Sequence, residues 1–89
     1  MKNDKIKLFL VDDDVVFLKL LEIEFLQHAD FEIETYITGE LCLASLSHNP
    51  DVIILDLGRP DVDGKAIIEA IRQTSHVPII VLSARDREG

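Results

Sequence analysis

Two four-residue apolar runs that end in aspartate constrain this chain more than any other feature. Leu8-Phe9-Leu10-Val11 runs into Asp12, Asp13 and Asp14, and Val52-Ile53-Ile54-Leu55 runs into Asp56. An unbroken apolar run with β-branched members is the pattern of a strand buried on both faces of a parallel sheet. A carboxylate just past such a strand emerges at the C-terminal edge of the sheet, where ligands of open α/β sheets bind. If the two strands are neighbours, Asp12, Asp13 and Asp56 converge in one small space. Their mutual repulsion favours a hard divalent cation such as Mg²⁺, and one of them is then positioned for chemistry on a phosphate.

The rest of the chain supplies the other elements of such a sheet. Ile6 to Val11 is expected to be the first strand, with Asp14 capping a helix from about Val15 to His28. That helix is apolar on most sides, which predicts that it covers a large area of sheet. Phe31 to Ile37 alternates, with Phe31, Ile33 and Ile37 on one face and Glu32 and Glu34 on the other, as in a half-exposed edge strand. Thr38-Gly39 opens a short helix to about Ser47, and Asn49-Pro50-Asp51 turns into the third strand, Val52 to Leu55. After the loop Leu57 to Val62, a helix capped by Asp63 carries Ala66, Ile67, Ala70 and Ile71 at helical spacing. Val77-Pro78 then leads into Ile79-Ile80-Val81-Leu82, an apolar run with the pattern of a central strand. The order βαβαβαβ implies right-handed crossovers and a doubly wound parallel sheet. No strand follows Leu82, so the outer edge of the fourth strand is expected to be bare, in a fragment or in a chain completed by a second copy.

Composition narrows the function classes. The chain has 89 residues, 47% hydrophobic and 29% charged, which suits one small globular domain. Its formal charge of −8, with only nine Lys and Arg, argues against a nucleic-acid groove in this segment. The single cysteine, Cys42, cannot form an internal disulfide and sits among Leu41, Leu43, Ala44 and Leu46, as a small buried residue would. No apolar run approaches the roughly 18 residues of a membrane span and no signal segment opens the chain, so a cytoplasmic protein is expected.

With these residues in order, the chain resembles the receiver domain of two-component response regulators. Val11-Asp12-Asp13 is similar to the family's acidic pair, and Asp51 to Asp56 to its third strand ending in the phosphoacceptor. Pro60-Asp61 and Gly64 resemble the loop that follows, and Val81-Leu82-Ser83-Ala84 the fourth strand with its hydroxyl switch residue. The second half resembles receivers attached to winged-helix DNA-binding domains and the first half free-standing receivers, as in a recombined or designed chain. The resemblance implies a flavodoxin-like fold, here with strand order 2-1-3-4, as one incomplete receiver domain over residues 1–89 that lacks the family's last helix, strand and helix.

The resemblance further implies Mg²⁺ held by Asp13 and Asp56 directly, by the carbonyl of Gly58, and by Asp12 through water. Asp56 would be the nucleophile for a phosphoryl group delivered by a histidine kinase or phosphotransfer protein, with Ser83 contacting the phosphoryl oxygen. The chain would be a phosphoacceptor rather than a conventional enzyme, with at most slow autophosphatase activity. The family's lysine on its fifth strand has no counterpart here, so slow or unstable phosphorylation is expected.

Plainer readings compete. Asp14 and Asp63 are read as helix caps, Ser83 could simply satisfy a strand-end backbone group, Gly58 could serve a turn, and His28, His48 and His76 are read as surface residues. Asp61-Val62-Asp63-Gly64 is no calcium loop, because counting from Gly64 puts Arg59 and Ala70 at ligand positions. It is no phosphatase motif either, since no apolar strand precedes Asp61. The competing function is a half-fold with a vestigial acidic site, homo-oligomeric through the exposed edge of its fourth strand.

Overall fold

A computed structural model describes residues 5–56 and 62–82, except the side chains of residues 62 and 63. Four strands, β1 (Ile6–Asp12), β2 (Phe31–Tyr36), β3 (Val52–Asp56) and β4 (Ile79–Leu82), form one sheet in the order β2-β1-β3-β4. Every neighbouring pair is parallel. The crossovers carry α1 (Val15–Leu26), α2 (Gly39–Ala44) with a 3₁₀ turn at Leu46–His48, and α3 (Val62–Thr74). This is the doubly wound, flavodoxin-like arrangement expected from the sequence.

The continuous apolar run of β1 has its reason in burial on both faces. Leu8, Phe9, Leu10 and Val11 are all buried. Phe9 and Val11 join Ile53 and Leu55 of β3, Cys42 of α2, Ile71 of α3 and Val77 in the main core, while Leu18 of α1 is buried among the other core residues. A side chain such as Phe9, fully enclosed, stabilises the fold by several kcal/mol, about 3–5 relative to alanine. Burial pushes the thiol of Cys42 up to about 11, so it stays a neutral packing group, as its apolar setting suggested.

Local chemistry explains most of the boundaries. Asp14 has extended backbone and its carboxylate accepts from the N–H groups of Val16 and Phe17, the expected cap of α1. Thr38 caps α2, its Oγ1 accepting from Leu41 N–H at 3.1 Å. Several boundaries differ from expectation, beginning with β1 and β3, which run one residue further, to Asp12 and Asp56. α1 stops at Leu26 rather than His28, with the Gln27 and His28 N–H groups turning back to the carbonyls of Glu24 and Phe25 respectively. The helix expected to reach Ser47 breaks at Ser45, continues as the 3₁₀ turn and ends at Asn49 in the left-handed region at φ 59°. β2 ends at Tyr36 instead of Ile37. α3 already includes Val62, which puts Asp63 inside the helix rather than at its cap.

One burial expectation also changes. α1 does not bury most of its apolar residues: Leu18 is its one buried side chain, while Val15, Val16, Leu20, Ile23 and Leu26 are exposed. β4 has the apolar pattern of a central strand but is outermost among the described residues, as the expected order 2-1-3-4 placed it, with Ile80 50% and Val81 45% exposed.

Candidate functional site

The acidic site is built by strand register. β1 and β3 are adjacent, and their pairing sets Asp12 opposite Asp56 as the last matched residues of the two strands. Both carboxylates therefore stand at the same C-terminal edge of the sheet. Sequence reading placed Asp12 just past its strand; the structure keeps it within β1, and that difference controls its environment.

Asp12 is only 2% exposed. Its Oδ1 accepts from the Asp14 N–H at 2.9 Å, whereas Oδ2 is buried with no hydrogen-bond partner among the described residues. Burial pushes its pKa up to about 6, against the lowering effect of the Asp14 N–H and with further upward pressure from the charges of Asp56, Asp13 and Asp14. A buried carboxylate oxygen without a donor is costly, on the order of 1–3 kcal/mol or more. Such an atom is satisfied by a proton or by a cation.

Asp13 follows β1 and is exposed, and Asp14 is occupied with capping α1. Asp56 is half-buried at the end of β3. Asp12 and Asp56, in register and both hard oxygen donors, fit a Mg²⁺ ion, which needs one or two carboxylates beside its waters. Among the described residues no group of three or more His, Cys, Asp or Glu side chains is gathered into a ready-made cage. The structure thus brings Asp12 and Asp56 side by side and puts Asp13 near enough to act on Asp12 by its charge. Gly58 and Ser83, the other two expected site residues, lie outside the described residues, as do Pro60 and Asp61.

A second polar cluster was not foreseen. Glu34, expected to face solvent, has its Oε1 accepting from the Tyr36 hydroxyl at 2.5 Å and 2.8 Å from Nδ1 of His48. The Lys7 ammonium is 3.6 Å from the other Glu34 oxygen and donates to the His48 carbonyl. Burial pushes the Glu34 pKa up, but hydrogen bonds from Tyr36 and His48 and the charges of His48 and Lys7 outweigh it and hold the carboxyl below its usual range. The signal was present in the period of the strand, since Glu34 and Tyr36 share a face and Tyr36 packs edge-on against Phe9. The cluster ties β2 to the 3₁₀ turn, and His48, read as a surface residue, is half exposed yet engaged.

No helix among the described residues is long and apolar enough to cross a membrane. A sequence model of the response regulator receiver domain matches residues 8–89. Among curated relatives, the KDP operon transcriptional regulatory protein KdpE of Escherichia coli K12 is 53% identical over 59 residues, covering 66% of this chain and 25% of its own length. The transcriptional regulatory protein KdpE of Staphylococcus aureus is 36% identical over 88 residues, covering 92% of this chain and 36% of its own. The chain therefore spans about a quarter to a third of these two regulators. Among solved structures, the beryllofluoride-activated NtrC receiver domain superposes with a TM-score of 0.76 at 31% identity, over 98% of this chain and 69% of that one. With its sheet order, its paired strand-end carboxylates and these likenesses in agreement, the chain belongs to the response regulator receiver domain family.

Proposed function

We propose that this chain is a phosphoacceptor module of a two-component relay, phosphorylated on Asp56 with Mg²⁺ bound beside it. The observation that carries the reading is the register pairing of Asp12 with Asp56 at the sheet edge, with one Asp12 oxygen buried and unpartnered among the described residues. Asp12, Asp13 and Asp56 would hold the ion, with the carbonyl of Gly58 completing the protein's share. Bound there, Mg²⁺ neutralises the carboxylates and screens the incoming phosphoryl oxygens.

The chain's own part in the transfer is positional. The strand end fixes Asp56 so that one carboxylate oxygen meets phosphorus in line. The new O–P bond forms as the N–P bond to the donor histidine breaks, and the imidazole leaves with the bonding pair and takes up a proton. Ser83 then donates its hydroxyl to a phosphoryl oxygen. The donor is a histidine kinase or phosphotransfer protein in the cytoplasm, and hydrolysis of the acyl phosphate resets the module. The NtrC receiver domain, which is activated by beryllofluoride, a mimic of a phosphoryl group on a carboxylate, supports the reading by likeness.

Adding beryllofluoride with Mg²⁺ should raise the thermal unfolding midpoint of the parent and leave Asp56→Asn unchanged. Equal shifts in both proteins would remove Asp56 from the site. A second reading, self-association through the β4 edge, is favoured by the exposure of Ile80 and Val81 on the outermost described strand.

A further inference from the structure

The polar cluster on β2 closes over the core. Phe9, fully buried on β1, has two rings in T-shaped contact with it, Tyr36 of β2 at 4.9 Å between centroids and His48 of the 3₁₀ turn at 6.4 Å. Both rings meet the same atom. Oε1 of Glu34 accepts from the Tyr36 hydroxyl and lies 2.8 Å from Nδ1 of His48. A carboxylate oxygen offers only lone pairs, so Nδ1 carries a hydrogen whatever the charge of the ring. Lys7 closes the other side, its ammonium 3.6 Å from Oε2 of Glu34 and donating to the His48 carbonyl at 3.1 Å. One carboxylate thus joins β1, β2 and the turn. The turn's own backbone bonds are local, His48 N–H to the Ser45 carbonyl and Asn49 N–H to that of Leu46, each 2.9 Å. Leu46 packs against the core, but Ser47, His48 and Asn49 are exposed. Segments built this way open ahead of the whole fold.

We propose that Glu34 is a clasp: its charged carboxylate fixes His48 in the Nδ1–H form and holds the 3₁₀ turn against β2 and Phe9, and protonation of that carboxylate releases the turn while β1, β3 and β4 stay paired. The groups facing Glu34 set the direction of the response. Against the upward pull of burial, Tyr36 of β2, His48 of the turn and Lys7 of β1 favour its charge and hold it below 4.5. The clasp is therefore closed above that pH and is lost as pH falls below it. Glu32, on the same strand, competes for the Lys7 ammonium at 3.8 Å, whereas Asp51 accepts from the Lys7 backbone N–H at 2.8 Å. Cys42 of α2, close to Tyr36, is a neutral thiol. α1 packs on the opposite face of β2, where Phe25 meets Phe31. None of the acidic-edge residues takes part, so the clasp stands apart from the phosphoacceptor reading.

Amide hydrogen exchange on the 89-residue chain tests it, read as protection factors so that the intrinsic pH dependence of exchange drops out. The reference is the Ile53 N–H of β3, which donates to the Pro78 carbonyl at 3.0 Å. From about pH 6 to about pH 3.5, protection of the His48 and Asn49 amides should fall roughly three- to tenfold relative to that of Ile53. Glu34→Gln, which stays neutral, should show the lower relative protection at both pH values. Glu32→Gln should keep the parent's response, and its loss there would assign the effect to Glu32 and overturn the proposal. Long-range proton–nitrogen NMR gives a reading that needs no variant: neutral His48 should hold its hydrogen on Nδ1 instead of on Nε2 as in free histidine. Neutral His48 with its hydrogen on Nε2 overturns the proposal. So does turn protection that follows Ile53 at every pH, or an equal pH response in the parent and Glu34→Gln.

Discussion

Asp12 carries two conflicting demands. In the proposed site it must be charged to help hold a cation, yet its position within β1 buries it and leaves Oδ2 without a donor among the described residues. Its raised pKa, about 6, is the signature of that conflict. Asp12→Asn removes the buried charge while the amide oxygen can still accept from the Asp14 N–H. At pH 8 without metal the variant should be more stable than the parent by on the order of 1–3 kcal/mol. Mg²⁺ should raise the unfolding midpoint of the parent only. A metal-free variant less stable than the parent would contradict the account. That Asp12 and Asp56 stand together at one sheet edge was legible, because each ends an apolar run. Which carboxylate is buried was not. Asp12 and Asp13 are chemically identical, and only the register of β1 against β3, a long-range property, turns one inward and leaves the other exposed.

At the scale of elements, the strands and helices were legible from period and caps, while their contacts were not. Gly39 shows the difference. Its sequence position announces only the start of α2, but a Cβ there would lie 2.5 Å from Cγ1 of Ile67 on α3. Gly39→Ala should therefore push Ile67 off its rotamer and destabilise the fold by about 1–3 kcal/mol, despite the better helix propensity of alanine. Pairing it with Ile67→Val, which removes one of the crowded methyls, should recover part of the loss in chemical denaturation. An alanine variant as stable as the parent would show that α2 and α3 are not closely packed there. The same limit explains α1 and β2. Composition made α1 a sheet-covering helix, but a helix has one face toward a sheet, and only the tertiary arrangement showed that Val16, Leu20 and Ile23 lie on the other. Alternation placed Glu34 outward, but Lys7 and His48 are far from it in sequence, so the pairing that holds it was invisible.

Across the whole molecule, two carboxyl groups with opposite shifts set the pH dependence. The folded state keeps the Asp12 proton up to about 6, whereas the unfolded chain releases it near 3.8, so stability falls as pH rises through that interval. Glu34 is depressed in the fold, so its contribution is present above 4.5 and is lost as pH falls below that value. Metal-free protein should therefore be most stable near pH 4.5, decline toward pH 6 and then level off, with the net charge of −8 adding to the decline. Mg²⁺ should offset the loss above pH 6 by occupying the site that protons leave. Urea unfolding across pH 4–8, with and without the ion, measures both effects, and a metal-free optimum above pH 7 would contradict them. The fold as a whole was legible because its signal is local and repeated, a βα rhythm closed by carboxylates. The central claim is that Asp56 accepts a phosphoryl group. Incubation with Mg²⁺ and a small acyl phosphate, followed by intact-mass measurement, should show one added phosphoryl group on the parent and none on Asp56→Asn. An unmodified parent, or equal modification of both proteins, would contradict it.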